Sequence, residues 1–177
     1  MARCKWLILA AVLLSWVPPS RAADPDPWAD LRFLIGEWAG EGKGAPGAGK
    51  GRFKFRLELQ DKVMVRKHRA ELPAANGRPA ATHEDLMVIH ADSGNGLRAA
   101  YFDSEGHVIQ YAVTVAADKQ TVTFVSDAAS KGPRFRLSYS KQKDDTLAIK
   151  FEIAPPGKPD DFKTYTEGTA ARERRAK

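Results

Sequence analysis

Alternation of apolar and polar residues recurs along most of the chain and predicts β-strands. The clearest cases are the segments 52–59, 134–140 and 146–153, and in the first of them Phe53 and Phe55 alternate with charged residues. A period of two places successive side chains on opposite faces of a strand. Each segment therefore has one face suited to a protein core and one suited to water.

Turn sequences divide the chain into about ten such segments. The predicted strands are 37–44, 52–59, 63–72, 82–90, 97–103, 107–115, 120–126, 134–140, 146–153 and 162–170. Short strands joined by local turns are typical of an antiparallel meander. Ten of them form either two packed sheets or a closed barrel, and closure leaves no exposed edge strand. We therefore predict a mainly β protein in which an antiparallel meander closes into a barrel.

One short helix is predicted just before the first strand. Asp26 suits the N-cap and Pro27 the first helical position. Trp28, Leu31, Leu34 and Ile35 then share an apolar face, and Gly36 is expected to end the helix. We expect this face to plug one end of the barrel.

The strand after the helix carries Trp38 on the same parity as Gly40, Gly42 and Gly44. Glycines along one strand face indicate bends or close backbone approach, as at a barrel corner. Trp38 is expected to pack beneath the helix.

The first 22 residues have the pattern of a secretory signal peptide. A basic start is followed by an apolar stretch over 6–17 and by small residues before a cleavage site after Ala22. An uncleaved membrane anchor is the alternative. Removal of 1–22 would leave a single barrel domain over 27–171 and a basic C-terminal tail over 172–177. The protein is thus expected to be exported, to the periplasm or the cell exterior.

Charge and composition argue against two classes of partner, nucleic acids and a membrane spanned by a helix after the signal peptide. The formal net charge is +6, but three of the 28 Lys and Arg residues lie in the predicted signal peptide. Clustered basic residues interleaved with aromatics, which a nucleic-acid surface needs, are not evident. No later segment is long and apolar enough for a transmembrane helix. The only cysteine, Cys4, precedes the apolar stretch, so the processed domain must be stable without disulfides.

Polar residues on two neighbouring predicted strands are candidates for a ligand site. Arg66 and His68 share one face of the strand 63–72, and His83 and Asp85 share one face of the next strand. A few polar groups in an apolar cavity are typical of ligand sites, and a barrel of this size is expected to hold a cavity. The alternative is that Arg66 and His68 face water, with the preceding valines inside. The candidate ligand-binding residues are Trp38, Arg66, His68, His83, Asp85, Tyr101 and Tyr111.

Histidine spacing does not predict a metal centre. His83 and His90 fall on opposite faces of one strand, and no H-x-H or H-E-x-x-H sequence occurs. Asp103 and His107 are expected to stabilise their own turn. No nucleophile elbow is present either, so we predict no catalytic residue, metal or cofactor.

Five segments carry a resemblance to known barrels. They are FLIGEWAGEG at 33–42, HEDLMVIH at 83–90, AYFDSEGHVIQY at 100–111, PRFRLSY at 133–139 and KFEIAPPGKPDDFKTY at 150–165. Together they resemble exported bacterial barrels related to the nitrobindin-like and calycin (lipocalin-like) proteins. The resemblance implies a barrel that binds a small apolar or amphipathic ligand.

In the nitrobindin branch, haem is bound through a histidine on a late strand, and some members isomerise peroxynitrite. Residues 146–170 of this chain contain no histidine, so the resemblance does not imply haem here. Two alternatives to a ligand-binding barrel remain, namely a nitrobindin-like haem protein and a structural barrel with a filled interior.

Overall fold

A computed structural model describes residues 26–75, 77–94, 96–128 and 132–173. The predicted signal peptide, residues 1–22, lies outside them. Within the described residues ten antiparallel strands form one closed barrel, in which each strand pairs with its neighbours in sequence and the last pairs with the first. This confirms the predicted meander and its closure.

The strands agree with the predicted segments to within about three residues at each end. They are β1 (Gly36–Gly44), β2 (Gly49–Glu58), β3 (Val63–Leu72), β4 (Ala81–Asp92), β5 (Gly96–Asp103), β6 (Val108–Val115), β7 (Thr121–Ser126), β8 (Arg134–Lys141), β9 (Thr146–Ala154) and β10 (Lys163–Arg172). A short 3-10 helix, Lys143–Asp145, lies in the turn between β8 and β9. None of the helices among the described residues has the length and apolarity needed to span a membrane.

Strand alternation decides which side chains fill the barrel. On β2, Phe53 and Phe55 are buried, as predicted. On β3, Met64 and Arg66 are 0% and 4% exposed, whereas the valines between them are only partly buried. The alternative with the valines inside is therefore wrong, and Arg66 faces the interior.

The N-terminal helix is a 3-10 helix, Ala29–Leu34, and not a longer helix beginning at Pro27. Asp26 does form the expected side-chain hydrogen bond, since its Oδ1 accepts from the backbone N–H of Trp28 at 3.0 Å. This bond closes a turn before the helix, which delays the helical start. Trp28, Leu31 and Leu34 of the predicted apolar face are buried. Ile35 was wrongly included in that face, because the helix ends at Leu34 and Ile35 is extended and only partly buried.

Polar contacts fix this helix across one end of the barrel. The indole Nε1 of Trp28 donates to the carbonyl of Asp61 in the β2–β3 turn at 2.7 Å. Asp30 pairs with Lys119 of the β6–β7 turn at 3.0 Å. Both turns lie at the same end of an antiparallel barrel, so the helix closes that end, and no described helix covers the opposite end.

Arg172 also holds the helix, although the sequence placed it in the basic tail. It is the last residue of β10, and its guanidinium donates to the carbonyls of Phe33 at 2.9 Å and Ile35 at 2.5 Å. Its charge also lies 4.1 Å above the ring of Trp38. The last strand therefore ends at Arg172, two residues beyond the predicted strand 162–170.

Glycines allow close contact between β1 and β10. Gly40 pairs with Ala170, and a Cβ at Gly40 would lie 2.1 Å from the carbonyl oxygen of Thr169. Gly168 is equally tight against the carbonyl of Glu41, at 2.4 Å. The predicted close backbone approach is confirmed at Gly40, and Gly168 adds a position that the prediction did not include.

Candidate functional site

Strand pairing brings the polar candidates together on the inner wall. The β3–β4 register places His68 opposite Asp85. Arg66 lies two residues before His68 on β3, and His83 lies two residues before Asp85 on β4. All four therefore face the interior on adjacent strands, in the half of the barrel away from the helix. We call Arg66, His68, His83 and Asp85 the polar cluster.

The centre of the polar cluster is a buried ion pair. The guanidinium of Arg66 donates to Oδ1 of Asp85 and to the hydroxyl of Tyr139 on β8. Its Nε has no hydrogen-bond partner among the described residues. Burial by itself raises the pKa of Asp85, but the charge of Arg66 and the hydrogen bonds from both histidines outweigh burial and hold that pKa well below its usual range. Asp85 is therefore a carboxylate at neutral pH.

The second oxygen of Asp85 faces both histidines. Its Oδ2 lies 2.8 Å from Nδ1 of His68 and 3.4 Å from Nε2 of His83. Burial lowers the pKa of His68, because desolvation outweighs its bond to Asp85. Hydrogen bonds to Asp85 and then to Glu105 raise the pKa of His83 to about 9. One imidazole is thus neutral and the other is charged at pH 7.

Residues of β5 and its turn surround His83. The carboxylate of Glu105 lies 3.1 Å from Nδ1 of His83, and the hydroxyl of Tyr101 lies 3.2 Å from Nε2. The same hydroxyl lies 3.4 Å from Oδ2 of Asp103. Asp103 also accepts hydrogen bonds from the backbone and ring of His107, which confirms the predicted turn role of both residues.

Three predicted site residues lie outside the polar cluster, and one of them, Tyr101, contacts His83 as described above. Tyr111 is buried and packs edge-on against Tyr101, with ring centroids 6.2 Å apart. It supports the Tyr101 ring. Trp38 belongs to the helix end, where its Nε1 donates to the carbonyl of Leu34 at 2.8 Å and its ring stacks on Phe53. The structure therefore does not bring Trp38 to the polar cluster.

Sequence reasoning missed two members of this site. Tyr139 lies in the predicted strand 134–140 but was not a candidate, and its bond to Arg66 joins strands that are not neighbours in the sheet. Glu105, between the predicted strands 97–103 and 107–115, was not a candidate either. The pairing of Asp85 with Asp103 across β4 and β5 brings that turn next to His83. Pairing the predicted strands 82–90 and 97–103 was the one way in which the sequence could have placed Glu105 near His83.

The inner wall remains partly accessible at the end opposite the helix. His68 and His83 have side chains 22% and 25% exposed. Apolar side chains that face inward at the same end, Ile109, Phe135 and Phe151, are also only partly buried. We call this region the recess.

A glycine makes room for one of the imidazoles in the recess. Gly51 on β2 lies beside His68, and a Cβ at Gly51 would lie 3.0 Å from the His68 Nε2 atom. The ring therefore lies against backbone instead of a side chain. The recess thus combines apolar walls with polar groups that solvent can reach.

A depression of about 820 Å³ lies along β1 to β5, and its lining includes His68 and Asp85 of the polar cluster as well as outward-facing charged residues. Several cations line it, and the carboxylates that neutralise them include Glu37, 2.7 Å from Lys54, and Glu84, 2.6 Å from Arg69. This surface has mixed charge. The expectation that the protein does not bind nucleic acid stays a prediction.

Comparison with solved structures shows the same architecture elsewhere. The chain is similar to the crystal structure of Rv2717c from M. tuberculosis, with a TM-score of 0.59, 13% sequence identity, and coverage of 85% of this chain and 99% of that one. A de novo designed fluorescence-activating β-barrel matches with a TM-score of 0.41 and 11% identity, over 80% of this chain and 95% of the design. No protein-family model matches the chain, and a search of curated proteins gives no match. The likeness to Rv2717c shows a shared barrel fold, and membership of the nitrobindin or calycin proteins stays a prediction.

Proposed function

We propose that the protein is an exported barrel that binds a small amphipathic ligand in the recess. The observation that supports this proposal most is the position of the polar cluster. Two partly exposed imidazoles lie above a buried ion pair, inside a barrel whose interior is otherwise largely apolar. A few oriented polar groups in an apolar site are what fixes a small ligand.

Each part of the recess has a role in this proposal. Ile109, Phe135 and Phe151 would contact the apolar body of the ligand. His83 and the hydroxyl of Tyr101, which lie 3.2 Å apart, would hydrogen-bond its polar group. The buried Arg66–Asp85 pair would hold the histidines in place, because Asp85 contacts both of them.

Native mass spectrometry of the protein purified under non-denaturing conditions tests the proposal first. An added mass that dissociates on collisional activation would establish a carried ligand and identify it. The mass of haem would instead support the nitrobindin-like alternative. An unliganded mass, together with no binding of the amphipathic dye 1-anilinonaphthalene-8-sulfonate, would favour a structural barrel with a filled interior.

A matched pair of variants locates the binding. The dye titration, run in the presence of EDTA, is repeated with Tyr101→Phe and with His90→Gln. Tyr101 lies in the recess, whereas His90 is on the opposite face of β4, where its Nδ1 lies 3.1 Å from the carbonyl oxygen of Ala91. Weaker binding in Tyr101→Phe alone supports the recess. Equal binding in both variants contradicts it.

A further inference from the structure

Three side chains of the polar cluster present ligand atoms to one point. His68, His83 and Asp85 each offer one nitrogen or oxygen, and these atoms all lie within 4.8 Å of one another. Sequence analysis grouped these residues as a ligand site but predicted no metal centre, since it tested histidine spacing along one strand only. The third ligand comes from β3, which pairs with β4.

The distances suit a tetrahedral metal ion. Ligand bonds of about 2.0–2.2 Å require ligand atoms roughly 3.3–3.5 Å apart. Nε2 of His83 and Oδ2 of Asp85 are already 3.4 Å apart, and Nδ1 of His68 is 2.8 Å from the same oxygen. His68 would have to move by only about 0.5 Å to reach that spacing.

We propose that His68, His83 and Asp85 bind a zinc ion through two imidazoles and one carboxylate. Two nitrogens and one oxygen are a donor set that zinc takes in proteins, with the fourth position left to water or substrate. Here the fourth position faces the recess, since both histidines are partly exposed there. The proposal goes beyond ligand binding and does not depend on it.

Neighbouring groups already orient all but one of these ligands. A metal-bound histidine usually donates its other ring N–H to a carboxylate, and Nδ1 of His83 lies 3.1 Å from Glu105. The remaining oxygen of Asp85 accepts from Arg66. The Nε2 atom of His68 instead lies against Gly51. Two of the three ligands are therefore held in place before any metal arrives.

The charges around the site also suit a divalent cation. Arg66 and a zinc ion together carry three positive charges. The carboxylates of Asp85, Asp103 and Glu105 supply three negative charges, and His83 lies within 4.8 Å of suitable atoms of Asp103 and Glu105 as well. With a bound zinc ion, these positive and negative charges would balance.

Isothermal titration calorimetry with zinc chloride alone tests this site on the EDTA-treated protein. All variants carry Cys4→Ser, since Cys4 is the only thiol of the chain. We expect saturable binding of a single zinc ion. His68→Gln and His83→Gln should weaken it by more than the roughly 10–100-fold expected for loss of a residue that only orients a ligand, such as Glu105. His90→Gln, on the opposite face of β4, should bind as the parent does.

Cobalt(II) absorption gives an independent readout, because tetrahedral cobalt has intense visible bands that the His83→Gln variant should lose. Glu105→Gln is the control for misfolding. Glu105 is an exposed turn residue, so this variant should fold as the parent does and keep all three ligands. No saturable zinc binding by the parent, or an equal loss in His90→Gln, would overturn the proposal. Because dye binding is measured in EDTA, failure of the zinc site leaves the ligand proposal standing, and the reverse also holds.

Discussion

Arg66 and Asp85 form an ion pair that is almost wholly inaccessible to solvent, with side chains 5% and 2% exposed. The pair is diagonal in the sheet, because Arg66 lies opposite Met87 and not opposite Asp85. Arg66 also donates to Tyr139 on β8, so one guanidinium links two sides of the barrel. Its position explains why a charged residue is tolerated on an inner face.

Removing one partner of this pair should destabilise the barrel strongly. Arg66→Met leaves the Asp85 carboxylate buried without its main counter-charge, which typically costs about 3–5 kcal/mol. Asp85→Leu should be comparable, because it leaves the guanidinium buried. The double variant should lose much less than the sum of the two single losses, since no unpaired charge then remains. Free energies of unfolding from urea titrations give the three values, and additive losses would contradict a coupled pair.

Trp38→Ala should cost about 3–5 kcal/mol of unfolding free energy, because it leaves a large cavity beneath the helix. The ring is 1% exposed, and its Nε1 donates to Leu34 at 2.8 Å. Trp38→Phe is the matched variant, since it keeps an aromatic ring against Phe53 and loses mainly the indole hydrogen bond. It should cost only about 1 kcal/mol beyond the volume change. An unchanged urea midpoint for Trp38→Ala would show that the plug does not depend on this residue.

Stability should fall between about pH 6.5 and pH 9 when EDTA is present. The pKa of His83 is raised from 6.5 to about 9, chiefly by its hydrogen bond to Asp85 and then by that to Glu105. A raised pKa stabilises the folded state below the unfolded value, and this contribution is lost as the pH rises through the folded value. His68 and Tyr101 also face the ring. The pKa of His68 is lowered, so its titration changes stability below pH 6.5. The pKa of Tyr101 is raised above its usual value, so its titration changes stability above pH 9.

The pH prediction is checked by the melting temperature measured across this range. His83→Gln should flatten the decline, because glutamine does not titrate. His90→Gln, on the outer face of the same strand, should leave the decline unchanged. A parent profile that rises or stays level from pH 6.5 to pH 9 would mean that His83 gains no charge stabilisation in the folded state.

Most of the strand pattern was readable because alternation on β2 and β8 is regular and their turns are short. The inward face of β3 was ambiguous, since it places Arg66 between Met64 and His68 whereas its outward face begins with valines. Only pairing with β4 resolves this, through the bond to Asp85. The contact with Tyr139 crosses the barrel interior, and no local pattern encodes it.

The type of the N-terminal helix and the last residue of β10 could not be predicted from local sequence either. The residues from Ala29 to Leu34 are too few to show whether the helix is α or 3-10. Arg172 appeared to belong to a run of basic residues, and only its partners show that it completes β10. Sequence alone therefore placed the elements well and the contacts between their ends poorly.

Arg172→Ala should loosen the helix that closes the barrel. The guanidinium donates to the carbonyls of Phe33 and Ile35 and pairs with Asp145 at 2.9 Å. Removing it leaves two helix-end carbonyls without this donor, which costs about 1–3 kcal/mol where they stay buried. Urea unfolding measures the loss, and faster hydrogen exchange of the Ile35 amide, which bonds to Arg32, would locate it.

Truncation separates the role of this side chain from that of the tail. A chain ending at 173 keeps Arg172 and the backbone hydrogen bond from Glu173 to Glu37, so it should unfold at nearly the same urea concentration as the full chain. A chain ending at 171 loses both and should be less stable than Arg172→Ala, which keeps the Glu173 bond. If the chain ending at 171 were as stable as the full chain, the barrel would end where the sequence predicted and the helix would need no donor from β10.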